Sequence, residues 1–358
     1  MTARWLILLV AASWPLPGFA AETGSVDHSS HRMSGHGTER DEFGRRLYGQ
    51  EHKLSPEVID RLRSKIPQYE NVTDAQIAMQ MKMMGGNYTW YLSEDDMTGA
   101  QGVLLLSHSA RSSDPRIKAS VEKYADVFPM AMAPGMAMTM SGHIQLGLND
   151  LEAAGAETIV VVPLVATRNS TLLRQWHYIF GMQDEAEYAA VPRVESNADI
   201  LFVDPPGDSP WIAEILVDHA LEISQDPASE LVIIAAHGPQ FEEDNQKVLA
   251  ELSNLGDMMQ DEVAFAEVAA FSLQDDAPTA IRAANVERLR SMVSEANKAG
   301  RRVLVITNLM GSRSIQAALR TDLRGLDYEF NPKGISEHPI FANDWLSNTI
   351  VDALNAAN

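Results

Sequence analysis

No cysteine occurs among the 358 residues of this chain. Disulfide frameworks, thiolate chemistry and a lipid-bearing cysteine anchor are therefore excluded. Any transition metal must be held by His, Met, carboxylate or water. Positive charge is also scarce: 28 Lys and Arg stand against 49 Asp and Glu, a net charge of −21. Such a chain repels a nucleic-acid backbone and an anionic membrane surface, and is better suited to handling cations. The apolar run Trp5 to Ser13 is too short to anchor the chain across a bilayer, so no stable membrane insertion is expected. A Gly-x-Ser-x-Gly elbow and a Walker-type phosphate loop are missing as well. Ser109 directly follows His108, and neighbouring strand residues point to opposite faces, so this pair makes no nucleophile and base.

What is present reads as globular: 45% of residues are hydrophobic and 22% charged. Arg4, the apolar run, the breaks at Pro15 and Pro17, and the small residues Gly18 and Ala20 form a signal-peptide pattern. Residues 1–20 are thus expected to be a cleaved export signal, and the location periplasmic. Residues 21–99 read as a flexible His- and Met-containing segment followed by short helices. One helix spans Ser55 to Lys65 behind an N-cap serine and Pro56, and another spans Thr73 to Met84.

Beyond residue 100 the chain repeats itself. Gly102-Val-Leu-Leu-Leu-Ser-His108 matches Leu231-Val-Ile-Ile-Ala-Ala-His237, placing the histidines 237 − 108 = 129 residues apart. Pro210 and Pro339 open matching helices at the same separation, 339 − 210 = 129. In both copies a helix stops at a glycine, Gly155 or Gly300, before the buried-type runs Thr158 to Pro163 and Arg302 to Thr307. Uninterrupted Val/Ile/Leu runs between amphipathic helices indicate parallel strands covered on both faces. The expectation is an α/β fold: two pseudo-repeated doubly wound parallel-sheet domains, residues 100–226 and 227–358, facing across a cleft. Ligands bind such sheets beyond the carboxyl ends of their strands, where both histidines fall.

The His-terminated strand, the helix-glycine-strand stretch AAGAETIVVVPL and the closing helix SPWIAEIL resemble the class II tetrapyrrole chelatases, the CbiX-type sirohydrochlorin cobalt and iron chelatases. The resemblance covers roughly residues 100–358 and identifies the chain as a divergent, exported relative. It implies a metal ion delivered into a tetrapyrrole held in the cleft, and two readings of this chain. One is a periplasmic chelatase-like protein that binds a divalent metal ion and inserts it into a tetrapyrrole. The other is a non-catalytic carrier or sensor of a metal or metallated tetrapyrrole. The metal would be cobalt, iron or nickel. His108 matches the family's first-strand histidine, the candidate base or ligand, and His237 is its counterpart in the second repeat. A neutral imidazole can take a pyrrole proton or bind an ion.

The chain also departs from the family pattern. Met138 stands where the family carries a glutamate, and Thr171 near the position of its second histidine, with His177 six residues on. Met136, Met138 and Met140, read as alternate residues of one strand with His143 just past its end, form either core packing or soft ligands that would suit copper. His28, His31, Met33 and His36 form a second cluster, either metal-capturing or simply solvated. Arg168, Arg174, Arg313 and Arg320 follow the third strand of each repeat and are candidates for holding tetrapyrrole carboxylates or for surface ion pairs. The candidate metal ligands are therefore His108, His143, His237 and Met138.

Overall fold

A computed structural model describes residues 40–47, 54–83, 88–108, 114–311 and 313–357, all within one compact unit, Gly35–Asn358. The expected signal peptide and the His28 to His36 cluster lie outside the described residues. In chain order the strands are β1 (Arg45–Leu47), β2 (Tyr88–Tyr91), β3 (Gln101–Ser107), β4 (Met130–Pro134), β5 (Thr158–Pro163), β6 (Asp199–Phe202), β7 (Glu230–Ala236), β8 (Glu267–Ser272), β9 (Arg302–Thr307) and β10 (Glu329–Phe330). The α-helices are α1 (Pro56–Lys65), α2 (Asp74–Met83), α3 (Asp114–Val121), α4 (Gly142–Ala153), α5 (Thr171–Ile179), α6 (Pro210–Leu221), α7 (Glu242–Glu262), α8 (Thr279–Lys298), α9 (Arg313–Asp322) and α10 (Ser347–Ala357).

Two sheets form, in the orders β1-β2-β4-β3-β5-β6 and β10-β9-β7-β8. Their parallel parts, β4-β3-β5-β6 and β8-β7-β9-β10, carry the same order when each is counted from its own first strand. The sequence repeat is thus a repeat of topology. Within each sheet the first strand, β3 or β7, lies between the second and third. This makes its carboxyl end the switch point at which α/β sheets bind ligands.

Side-chain alternation shows why the strands read as continuous apolar runs. Val103, Leu105, Val160 and Val162 face a core shared with Val232, Ile234, Leu304 and Ile306, filled from between by helices including α6 and α10. Leu104, Leu106, Ile159 and Val161 face the other side, against α4 and α5. Leu231, Ile233 and Val305 do the same in the second sheet, against α8 and α9. Both faces are buried, so polar residues are excluded from either parity, and each fully buried side chain contributes about 1.5–3 kcal/mol. Gly155 and Gly300, with φ of +91° and +76°, occupy the left-handed position that ends α4 and α8.

Two local features differ from the sequence reading. Strands β1 and β2, both before residue 100, extend the first sheet by antiparallel pairing, β2 on β4 and β1 on β2. The methionines 136, 138 and 140 do not lie in a strand. The strand is the earlier Met-Ala-Met run, Met130–Pro134, and residues 137–139 form a turn leading to α4. Ala133, Pro134 and Gly135 separate the two Met-Ala-Met runs; Pro134 has no N–H to give, and the Gly135 amide makes the last bond to β3, at the Ser107 carbonyl.

Candidate functional site

A cavity of about 670 Å³ lies beyond the carboxyl ends of the parallel strands, between the two sheets. Ser107 and His108 reach it from the end of β3, and Ala236, His237 and Gly238 from the end of β7. Asp275 and Asp276 enter past β8, and Asn308 past β9. The two repeat histidines are therefore brought to one cavity, as is Met138.

The two imidazoles sit in different fields. The His108 Nδ1 is buried without a hydrogen-bond partner among the described residues. Burial lowers its pKa and the charge of His237 adds to this, while Asp276 opposes the shift without cancelling it. His108 is thus held neutral, with a free ring nitrogen. His237 has its Nδ1 at 3.0 Å from the Gly238 carbonyl oxygen and 3.6 Å from Asp276 Oδ2, and its Nε2 at 3.9 Å from Asp275 Oδ2. Burial works against its charge, but Asp276 and then Asp275 outweigh it, and its pKa is raised.

Gly238 makes that arrangement possible. Its φ is +78°, and a Cβ there would stand 2.1 Å from Ser272 Oγ and 2.6 Å from the Gln274 backbone nitrogen. The absent side chain lets the turn after β7 press onto the end of β8. The Asp275 amide then donates to the His237 carbonyl at 2.9 Å, pinning the acidic pair beside the imidazole.

His143 is not at the mouth of the cleft. It is fully buried in the first turn of α4, and neither ring nitrogen has a partner among the described residues. Burial, then the charge of His108, pushes its pKa down to about 3, so it is a neutral ring behind His108. Met136 and Met138 pack with Ile59, Leu62 and Tyr69 of the N-terminal helical segment, and Met138 also lines the cavity. Thr171 and Tyr188 share a 2.6 Å hydroxyl contact on the cavity wall. His177 is packed edge-to-face on Phe202, with ring centroids 5.0 Å apart, and belongs to the outer face of the first sheet.

Arg168 and Arg174, candidates for holding tetrapyrrole carboxylates or for ion pairs, make ion pairs within the protein. Arg168 pairs with Asp208 and donates to the Pro206 carbonyl at 3.3 Å. Arg174 bridges Glu187 and Asp244 at 3.0 and 2.8 Å, tying α5 to α7. Neither lines the cavity. The side chain of Arg313, at the start of α9, is outside the described residues.

Several residues at the site escaped the sequence reading. Asp275 and Asp276 are one set, detectable only once β8 is recognised as the partner of β7. Another is the segment 54–83, which caps the cavity through Ile66, Gln68 and Tyr69. Arg61 holds this cap to the first half through the carbonyls of Tyr188 and Ala186, at 3.0 and 3.1 Å. Gln240 and Gln68 hold it to the second half through hydrogen bonds with the Lys65 and Asp275 carbonyls. The third set is Ser107 Oγ and Asn308 Oδ1, on cavity-lining residues 2% and 4% exposed, with no partner among the described residues. A buried polar atom left unpaired costs about 1–3 kcal/mol, so both favour a polar occupant. Among the described residues, however, no three His, Asp or Glu side chains converge tightly enough to hold a metal ion. No described helix is long and apolar enough to cross a membrane.

No family model matches the chain, and no curated protein matches it. Among solved structures it is similar to SirB from Bacillus subtilis with Fe3+, at 15% identity and a TM-score of 0.52. That match covers 71% of this chain and 96% of the other. It is also similar, at 16% identity and a TM-score of 0.43, to DR2241 from Deinococcus radiodurans, a multi-domain protein described as structurally similar to chelatases, over 70% of this chain and 55% of that one. At 15% identity the SirB match carries the fold and nothing finer: the chain has a chelatase-like α/β fold with parallel sheets.

Proposed function

We propose that the cleft binds a divalent transition metal ion, with His108 and His237 as imidazole ligands from opposite halves and His143 as the neutral ring behind them. The observation that carries this reading is the opening of both strand-end histidines onto one cavity that also holds unpaired polar atoms and an acidic pair. Iron in the SirB structure is in keeping with it. The described ligands are not drawn together into a closed set, which suits an ion that is taken up and passed on rather than held as a structural part. Cobalt, iron and nickel suit imidazole with carboxylate, whereas Cu(I) would favour the thioether of Met138.

Two finer readings share this site. In the first, the protein is an exported chelatase-like enzyme that inserts the ion into a tetrapyrrole, with His108 taking pyrrole protons. In the second, it is a periplasmic carrier or sensor of the ion or its tetrapyrrole complex. The cap formed by Ile66, Gln68 and Tyr69, together with the commitment of Arg168 and Arg174 to other partners, favours the second. A macrocycle would have to displace the cap and would meet neither guanidinium.

Calorimetric titration of the purified chain with Co(II) and Ni(II), and anaerobically with Fe(II), tests the shared reading. Stoichiometric binding that is weakened in His108→Ala is expected, and no binding by the unmodified chain at micromolar concentration sinks it. Visible-absorbance assays with sirohydrochlorin then separate the two finer readings. Accelerated insertion that depends on His108 makes the protein an enzyme, whereas binding without insertion leaves a carrier.

A further inference from the structure

The two halves of the cleft can be superimposed residue by residue from their strand pairing. Ser107 at the end of β3 pairs with Pro134 of β4, and Ala236 at the end of β7 pairs with Ser272 of β8. The next backbone hydrogen bond is also repeated: Gly135 donates to the Ser107 carbonyl, and Leu273 to that of Ala236. Met138 follows Pro134 by four residues, and Asp276 follows Ser272 by four. The same backbone position thus carries a thioether in the first half and a carboxylate in the second, and both residues line the cavity.

The carboxylate is available. Asp275 is already engaged by Arg282, whose Nε lies 2.8 Å from its Oδ1. The one ion-pair partner of Asp276 among the described residues is His237, at 3.6 Å, and its side chain is 45% exposed. The buried, unpartnered Ser107 Oγ and Asn308 Oδ1 line the same cavity and independently call for a ligand there.

From this geometry we infer that Asp276 is the anionic ligand of the cleft and the residue that sets its ion class, selecting a divalent ion that accepts oxygen over Cu(I). The inference rests on the metal-binding reading above and adds the missing acidic group to it. Carboxylate and amide oxygen are hard donors that suit Co(II), Fe(II) and Ni(II) beside imidazole, whereas a thioether suits Cu(I). The acidic ligand comes from the second half because the equivalent position of the first half is Met138, which is packed under the cap.

The test uses the full-length chain, Co(II) added as its chloride, and Cu(I) held by a competing chromogenic chelator under anaerobic reducing conditions. Asp276→Asn is expected to weaken Co(II) binding by about tenfold or more and to shift its visible ligand-field bands, with Cu(I) affinity held within about threefold. Asp276→Glu retains Co(II) binding, and Asp275→Asn weakens it by less than about threefold. If Asp276→Asn leaves Co(II) binding and its spectrum unchanged, or weakens both ions equally, the assignment of Asp276 is overturned while the metal-binding reading stands. If the unmodified chain binds no Co(II), the metal-binding reading fails and this assignment falls with it. Circular dichroism verifies the folding of each variant.

Discussion

The two walls of the cleft are built on one backbone plan and carry opposite chemistry. In the first half, His108 has an unpartnered Nδ1, a buried neutral His143 behind it and Met138 at its side. In the second half, His237 stands between Asp275 and Asp276, with Gly238 holding the turn that brings them together. Environment alone moves the two imidazoles in opposite directions, one kept neutral and the other drawn toward its charged form. A histidine's role therefore follows from its neighbours, and a repeat in sequence does not make two equivalent sites.

Removing both imidazoles should have the largest effect. The double variant His108→Ala/His237→Ala is expected to lose Co(II) binding by about 100-fold or more, measured by calorimetry. The single variants sharpen the contrast through pH. A metal ion competes with the proton for a ring nitrogen, so binding through His237, with its raised pKa, weakens as pH falls from above 6.5. Binding through His108, with its lowered pKa, persists to lower pH. The residual affinity of His108→Ala should accordingly be the more acid-sensitive of the two. Equal acid sensitivity would erase the difference between the walls.

Gly238→Ala comes next, because it attacks the second wall alone. A side chain with φ at +78°, and a Cβ within 2.6 Å of the Gln274 nitrogen, forces the β7 turn away from β8. A loss of roughly 2 kcal/mol in urea unfolding is expected. His237 should lose its acidic partners, and its NMR-monitored pKa should fall toward the ordinary histidine value. An unchanged His237 titration would show that the turn does not set its field.

How much of this was readable beforehand depended on the kind of signal each residue left. The strands β3, β5, β7 and β9 are buried on both faces, so they appear as uninterrupted apolar runs, and Gly155 and Gly300 mark the helix ends. His108 and His237 were visible because each directly ends such a run. Asp276 was not, since its role depends on a pairing register and β8 has the half-exposed sequence Glu-Val-Ala-Ala-Phe-Ser. The turn at Met136–Met140 reads as a strand in sequence because a second Met-Ala-Met run precedes it with only three residues between, and alternation alone does not choose between them. Strands β1 and β2 are short and gain their conformation from antiparallel pairing, β2 on β4 and β1 on β2, long-range contacts that local sequence does not encode.

Acid should expose a different asymmetry, away from the cleft. His219 in α6 is fully buried, with neither ring nitrogen partnered among the described residues. Burial and then the neighbouring charge of His338 push its pKa down to about 4. The unfolded chain, with its ordinary pKa near 6.5, takes up this proton first. Stability contributed here is therefore complete above about pH 6.5 and is lost as pH falls toward 4. His219→Leu should flatten that acid limb, recovering up to about 2 kcal/mol at pH 4.5 relative to its own value at pH 7. Urea unfolding at the two pH values measures it, and an unchanged acid limb would place the acid-labile group elsewhere.

The smallest expected effect concerns the polar pair on the first wall. The Tyr188 hydroxyl meets the Thr171 hydroxyl at 2.6 Å, close to Met138 on the cavity lining. The pair satisfies its own hydrogen-bonding needs, unlike Ser107 and Asn308. Tyr188→Phe removes one hydroxyl and leaves the other to find a new partner, at a cost of about 1 kcal/mol in unfolding free energy. Because both hydroxyls are already used, Co(II) affinity should stay within about threefold of the unmodified chain. A larger fall would mean that the first wall supplies oxygen to the ion as well, and the division of labour between the walls would have to be redrawn around Tyr188.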